Sequence, residues 1–427
     1  MGPKYQALKG MEDLLPGEIE KWQWLEARAR AFFEANAFKE IRTPLLESTE
    51  LFTRSVGEAS DIVHKEMFSF KDRGDRDISL RPEMTASVAR AVIEHGLLKT
   101  NKSLRLYYMG PMFRAERPQA GRKRQFHQIG IEIINEANLG GFNVDAHAIY
   151  LLCRFLSLLG LKDFRLRLND LGDFTQQKQL ASKLKEYFLR QKSKLCPDCR
   201  YRLDKNVLRI FDCKTKDCQP VIDQAPWDEI APVSKEFNAL IEGLKSFPLS
   251  PPEINRRLVR GLDYYNGTVF EVTAVGLGAQ DALAGGGRYD RLYSDLGGPP
   301  TPCTGFSIGM ERLIAALEKA EPPLSDKMKS RKVYLALLEQ GRLAEEQSNE
   351  YALSLRDRNI SIETFPGEFS LSNHLKKANL LGVRFVLILG SSELAKGCWI
   401  VKDMERKTQT EVKKEELISH LEKVLQS

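Results

Sequence analysis

Between Phe113 and Glu132 the run FRAERPQAGRKRQFHQIGIE brings Arg114, Arg117, Arg122, Lys123 and Arg124 together with Glu116 and Glu132. Guanidinium forks take phosphate oxygens two at a time, so such a cluster suits a polyphosphate. Charge runs are also common on surfaces, and a solvated basic loop is the competing reading. Read as a strand, 125–134 puts His127, Ile129, Ile131 and Ile133 on one face and Gln128, Gly130, Glu132 and Ile134 on the other. Two polar side chains flanking a glycine are unusual on a buried sheet, and the glycine leaves room for a ligand to approach the backbone. His127, set among isoleucines, reads as a packed histidine and not as a catalyst.

Two further clusters have a chemical and a plain reading. Cys196 and Cys199 form a C-x2-C, with Cys213 and Cys218 after them. This resembles a zinc-ribbon spacing, though the last interval is too long, and a structural zinc would tie down a segment with little apolar core. The plain reading is four reduced thiols. Gly285, Gly286 and Gly287 are either a pocket wall or a tight strand-to-helix turn.

Several elements must position these groups. Ile19, Trp22, Leu25, Ala29, Phe32 and Phe33 repeat at helical steps and predict a helix over 17–36, with Pro16 before it. A second helix is expected from near Glu83 to Gly96. An antiparallel strand pair is expected over 104–114 and 125–134, followed by a helix over about 144–159. Residues 170–255 change character and read as an insertion. Strand signals resume over 257–274, where Asn266-Gly267 marks a turn. The run 305–318 reads as a strand entering a helix. After a polar linker over 321–332, strands and helices alternate to the end, which reads as a small mixed-sheet domain.

Taken together, these segments resemble the class II aminoacyl-tRNA synthetases. FRAERPQAGRKRQFHQIGIE is similar to motif 2 (about 104–134), and GFSIGMERL to motif 3 (305–318). The helix 17–36 with FKEIRTPLLE is similar to motif 1 (about 17–50). LVRGLDYYNGTVFE (258–271), AGGGRYD (284–290), KGMEDLLP and RPEMT (81–85) resemble the histidyl-tRNA synthetase family in particular. The resemblance implies an α/β (α+β) fold. A class II antiparallel-sheet catalytic domain over 1–325 would be interrupted by an inserted subdomain at 170–255. A mixed-sheet anticodon-binding domain would follow over 331–427.

The resemblance also implies ATP-dependent attachment of L-histidine to tRNA(His), with ATP and Mg²⁺. Arg114 would contact the α-phosphate, with Arg260 across from it, and Arg122 and Arg312 would hold the outer phosphates. Glu83 and Gln128, with Thr85 beside them, would take the α-ammonium. Glu132 and the Tyr264–Tyr265 pair would read the imidazole. The family pairs through motif 1, so a homodimer is expected. It does not generally depend on a metal at the cysteines, so a structural zinc at Cys196, Cys199, Cys213 and Cys218 stays open as the less favoured reading. Ala115 and Met84 depart from the pattern, where a larger residue and a glycine are common. Two alternatives fit the same fold. One is a catalytically silent regulatory subunit of ATP phosphoribosyltransferase, which usually loses motif residues and the C-terminal domain. The other is a synthetase for a different amino acid.

The composition agrees. Of 427 residues, 42% are hydrophobic and 29% charged, enough for two or three domains with real cores. A net charge of +6 permits a polyanionic partner without requiring one. No apolar run reaches the roughly 18 residues of a membrane span, and no apolar stretch suited to a secretory signal opens the sequence. Seven cysteines without such a signal fit the reducing cytoplasm. In the C-terminal stretch, Lys376, Lys377 and Arg384 offer cations for RNA phosphates.

Overall fold

The computed structural model describes residues 5–57, 60–119, 121–136, 143–227, 233–274, 281–324, 332–365, 367 and 370–426. The chain forms two compact units, 1–321 and 322–427. No helix among the described residues is long and apolar enough to cross a membrane.

The strands of the first unit are β1 (Lys39–Glu40), β2 (Leu46–Ser48), β3 (Ser69–Lys71), β4 (Asp77–Leu80), β5 (Leu104–Phe113), β6 (Gln125–Ile134), β7 (Phe164–Asp170), β8 (Glu253–Ile254), β9 (Asn266–Ala274), β10 (Ala282–Arg288) and β11 (Cys303–Gly309). Eight of them make one sheet in the order β1-β5-β6-β11-β10-β9-β7-β8, and β2-β4-β3 make a small second one. From β5 to β7 every neighbouring pair in the large sheet is antiparallel, and only the two short edge strands run parallel to their neighbours.

The two faces of this sheet differ because β6 alternates. Ile129, Ile131 and Ile133 are buried, as are Phe306 and Ile308 of β11. Helices Ile19–Ala35 and Val144–Leu158 cover this face. Phe33 lies 5.4 Å from Phe155, 5.7 Å from Tyr107 and 6.3 Å from Phe306, ring to ring. His127 belongs here too: its ring meets Trp22 edge-on at 4.8 Å and its Nδ1 lies 3.1 Å from Glu311. The opposite face carries Gln128, Gly130 and Glu132. In register with them stand Tyr108 and Gly110 of β5 and Gly305, Ser307 and Gly309 of β11. Gly285 of β10 pairs with Ser307 on one side and Glu271 of β9 on the other.

Two local expectations change. Asn266-Gly267 does not reverse a hairpin: residues 257–265 form no strand, and β9 begins at Asn266. Gly267 takes φ +59° and pairs with the loop after β7, through Gly267 N–H to Gly172 O and Leu171 N–H to Gly267 O, both 2.8 Å. The turn chemistry is used for a crossing of chains. Gly285–Gly287 form no turn either, but lie within β10.

Within 170–255, the helix Phe174–Arg190, the helix Pro197–Lys205 and the segment around Trp227 share a core built on Leu180, Leu184, Phe188 and Leu203. The helix Lys235–Leu244 packs on Val144–Leu158, and β8 rejoins the main sheet beside β7.

The second unit is a mixed sheet of β12 (Lys332–Leu337), β13 (Ser361–Thr364), β14 (Phe385–Leu389), β15 (Cys398–Asp403) and β16 (Thr408–Lys413), ordered β13-β12-β14-β15-β16. The first three run parallel and the last two antiparallel. All five residues of β14 are buried, as a strand covered on both faces requires. Arg384 is not a free cation. It is largely buried between Asp403 and Glu405, at 3.5 and 3.6 Å, because its position just before β14 sets it beside the β15 end. Lys376 is exposed, while Lys377 is half-buried over the Phe365 ring. Most of the expected linker lies outside the described residues.

Candidate active site

The polar face of the large sheet floors a single cavity. Glu83, Thr85, Arg114, Arg122, Gln128, Glu132, Arg260, Tyr264, Tyr265 and Arg312 all line it. They come from four separate stretches of sequence, so register and loop course must agree for them to meet. The floor is small by necessity. A Cβ at Gly130 would collide with the Tyr108 ring, one at Gly305 with the Glu132 carboxylate, and one at Gly285 with the Arg260 guanidinium.

The cations are held at fixed points. Arg114, just past β5, donates from Nε to Pro82 O at 3.0 Å, and its guanidinium lies 5.2 Å over Phe126. Arg312 sits in the first turn of helix Met310–Glu318 and donates to Gly121 O at 2.9 Å and Ala282 O at 2.7 Å. Burial pushes its pKa down, and the positive charges of Arg122 and Arg114 push it further. Arg122 reaches Glu116 at 2.8 Å. Arg260 reaches Glu271 through Nη1 at 2.9 Å, and its buried Nε has no partner among the described residues.

Away from the arginines the cavity is carboxylate and phenol. Glu83 accepts the N–H groups of Thr85 at 2.7 Å and Ala86 at 2.9 Å, which satisfies open donors at the start of helix Thr85–Glu94. The Thr85 hydroxyl donates to Glu132 at 2.8 Å, and the Tyr289 hydroxyl donates to the other Glu132 oxygen. Tyr264 donates to Glu83 at 3.4 Å. The amide of Gln128 reaches Ser307 at 3.3 Å.

Burial pushes the Glu83 carboxyl up. Burial also raises Glu132, to about 8, against the hydrogen bonds from Tyr289 and Thr85 that hold it down. Two buried acids joined through one threonine suit a ligand that brings N–H donors and positive charge. The raised value also fixes a sign. Folded protein keeps a proton on Glu132 that the unfolded chain releases above its ordinary 4.5, so this stability is complete below 4.5 and lost as pH rises through about 8. The melting temperature of the ligand-free protein should therefore fall between roughly pH 4.5 and pH 8 and level off above that, and Glu132→Gln should flatten the fall. Calorimetry across that range checks it; identical slopes for the two proteins would contradict it.

Several groups at the site were not singled out in the sequence. Tyr108 faces Gly130, which a count of the β5–β6 register from the two strand lengths would have revealed. Tyr289 lies in AGGGRYD, a segment recognised as a wall without its tyrosine being singled out. Ser307, on the wall, and Glu271, behind Arg260, stand within the 305–313 and 258–271 segments, but only the fold pairs them with Gln128 and Arg260. Of the two departures, Met84 is buried and takes the Thr43 hydroxyl on its sulfur at 3.3 Å, and Ala115 donates its N–H to Glu66 O at 2.6 Å.

An antiparallel sheet that floors a cavity between fixed arginines and buried acids is the catalytic architecture of a class II aminoacyl-tRNA synthetase. The model of histidyl-tRNA synthetase matches residues 10–187 and 223–313, and that of the anticodon-binding domain matches 332–424. The chain belongs to the histidyl-tRNA synthetase family. It is 42% identical over 97% of its length to a histidine–tRNA ligase of Thermosipho melanesiensis, covering 97% of that protein. To a histidine–tRNA ligase of Prochlorococcus marinus it is 45% identical, over 92% of this chain and 91% of the relative. The apo histidyl-tRNA synthetase of S. aureus superposes with a TM-score of 0.73 at 30% identity, covering 98% of this chain and 99% of that one.

Proposed function

We propose that the protein is a histidine–tRNA ligase, which activates L-histidine with ATP to histidyl-adenylate and pyrophosphate and then transfers histidine to the 3′ end of tRNA(His). The observation that carries this reading is the convergence of all ten candidate residues, four arginines and two buried acids among them, on one cavity. Activation is an in-line displacement at the α-phosphorus by a carboxylate that is already ionised. It needs no general base, and fixed cations aimed at the developing charge do most of the work.

In this reading Arg114 and Arg260 face each other across the α-phosphate, and Arg122 and Arg312 hold the outer phosphates. Glu83 and Gln128 take the α-ammonium, with Thr85 between the two acids. Glu132 accepts an imidazole N–H, with Tyr264 and Tyr265 beside the ring. Histidine alone among substrates offers a donor and an acceptor on one small ring, and an analogue without them would strand buried polar groups. Mg²⁺ enters with ATP and screens the outer phosphates; the carboxylate oxygens of Glu116 and Glu311 on the cavity wall suit such a hard cation. The silent regulatory subunit is disfavoured, because every one of these side chains is retained.

The test is amino-acid-dependent ATP–pyrophosphate exchange with Mg²⁺. Exchange should require histidine; exchange with proline or threonine instead, or none at all, would overturn the reading.

The same reading includes a homodimer. Trp24 and Phe32 stay half-buried on helix Ile19–Ala35, and Leu45 and Leu46, later in the motif 1 segment, are exposed. Light scattering at micromolar concentration should give twice the chain mass; a monomer would refute it. It also includes a cytoplasmic location, where charged tRNA is used, which cell fractionation tests.

A further inference from the structure

We infer that Cys196, Cys199, Cys213 and Cys218 bind one zinc ion as four thiolates, and that this ion fixes the segment that holds the Arg260 backbone. The four sulfurs lie within 4.8 Å of one another. A tetrahedral zinc with bonds of about 2.3 Å sets its sulfurs about 3.8 Å apart. The Cys196 and Cys213 sulfurs are already 3.9 Å apart, so a small contraction completes the shell. The same distance is far beyond the roughly 2.05 Å of a disulfide.

The surroundings fit thiolates better than thiols. Cys196 caps helix Pro197–Lys205, and its sulfur accepts the Cys199 N–H at 3.5 Å. The Cys218 sulfur accepts the Cys196 N–H at 3.2 Å, and the Cys213 sulfur the Thr215 N–H at 3.4 Å. Backbone donors aimed at sulfur disperse the negative charge of a metal thiolate and orient it. The local elements also need a tie. The cysteines stand on short elements, helix Pro197–Lys205 and the stretches beside the 3-10 turns Val207–Asp212 and Lys216–Cys218, which one ion would join at a single point.

What the tie holds is specific. Arg202 and Arg209, on the helix and the turn after it, share Asp61 at 2.6 and 3.8 Å. Arg209 also donates to the carbonyl of Arg260 at 3.2 Å, and Asn206 donates to Asp263 at 2.9 Å. Arg209 is buried to 5% exposure, so a shift of its turn reaches the Arg260 carbonyl directly. Arg209 is thus a positioning residue for Arg260, and zinc sets where it stands.

The experiment is a metal count on the full-length protein purified without chelator or a metal-affinity tag. Plasma mass spectrometry should find about one zinc per chain, released by a mercurial in step with the modification of four thiols. Cobalt exchanged into the protein should show the intense thiolate charge-transfer and ligand-field bands of tetrahedral sulfur coordination, a readout independent of histidine activation. Below about 0.2 zinc per chain with no cobalt thiolate band, or two disulfides in the isolated protein, the inference fails. Cys213→Ser should lose the metal and lower the rate of histidine activation several-fold with little change in the KM for histidine. A Cys213→Ser protein that loses zinc but keeps the full rate would overturn the link to Arg260; if that variant does not fold, Arg209→Lys, which keeps the four thiols, should retain zinc and lower the same rate.

Discussion

Arg260→Ala should cut the turnover of histidine-dependent ATP–pyrophosphate exchange by about 10²-fold or more, while the KM for histidine moves only a few-fold. The side chain is held at two points. Its Nη1 is pinned to Glu271 at 2.9 Å and it lies over Gly285, where any larger residue would displace it. A cation fixed in this way costs no reorganisation when charge builds on the transferred phosphate, which is why its loss should appear in kcat and not in ground-state binding. Arg260→Lys should recover only part, since an ammonium keeps the charge but not the fork. Removing Arg260 also strands the half-buried Glu271 carboxylate. Arg260→Ala with Glu271→Gln separates the two causes: if the loss came from the stranded acid, the double variant would regain activity, whereas a lost catalytic cation stays lost. Near-normal turnover in Arg260→Ala would remove the residue from the chemistry.

How much of this site could be read beforehand depends on how local its signals are. Period-two alternation exposes Gln128, Gly130 and Glu132 as a polar stripe because a strand of ten residues needs no partner to fix its faces. The cation cluster after Phe113 is equally local, but its purpose is not. The same residues read as surface until Arg312, nearly two hundred positions away, is seen to donate to Gly121 O. The floor is nonlocal throughout. Gly130, Gly285 and Gly305 lie on three strands, and only their register makes them one surface. The Asn266-Gly267 turn misled for a related reason. A left-handed glycine permits a hairpin but equally permits a close crossing, and the tertiary pairing with Gly172 decides between them. Arg384 shows the limit for surface charge, since nothing in its neighbours in sequence announces the two acids that neutralise it.

Deleting the second unit should separate activation from charging. Residues 1–321 form a compact unit by themselves and hold all ten of the cavity residues, so this piece should keep histidine-dependent pyrophosphate exchange within about 10-fold of the full chain. Residues 332–424 match an anticodon-binding domain, and in the proposed function they select tRNA. Aminoacylation by residues 1–321 should therefore fall by about 10²-fold or more in kcat/KM, mostly through weaker tRNA binding. With Arg384 neutralised by Asp403 and Glu405, exposed Lys376 is the better candidate to meet an RNA phosphate, and an ion pair of that kind positions RNA without reading its sequence. Every lysine or arginine that pairs with phosphate releases counterions, so deleting the unit should also flatten the salt dependence of tRNA binding. Measuring exchange, aminoacylation and the salt slope on the same truncated protein distinguishes the outcomes. Undiminished aminoacylation would refute a role in tRNA selection. A folded 1–321 chain inactive in exchange would mean that the second unit contributes to the activation chemistry itself.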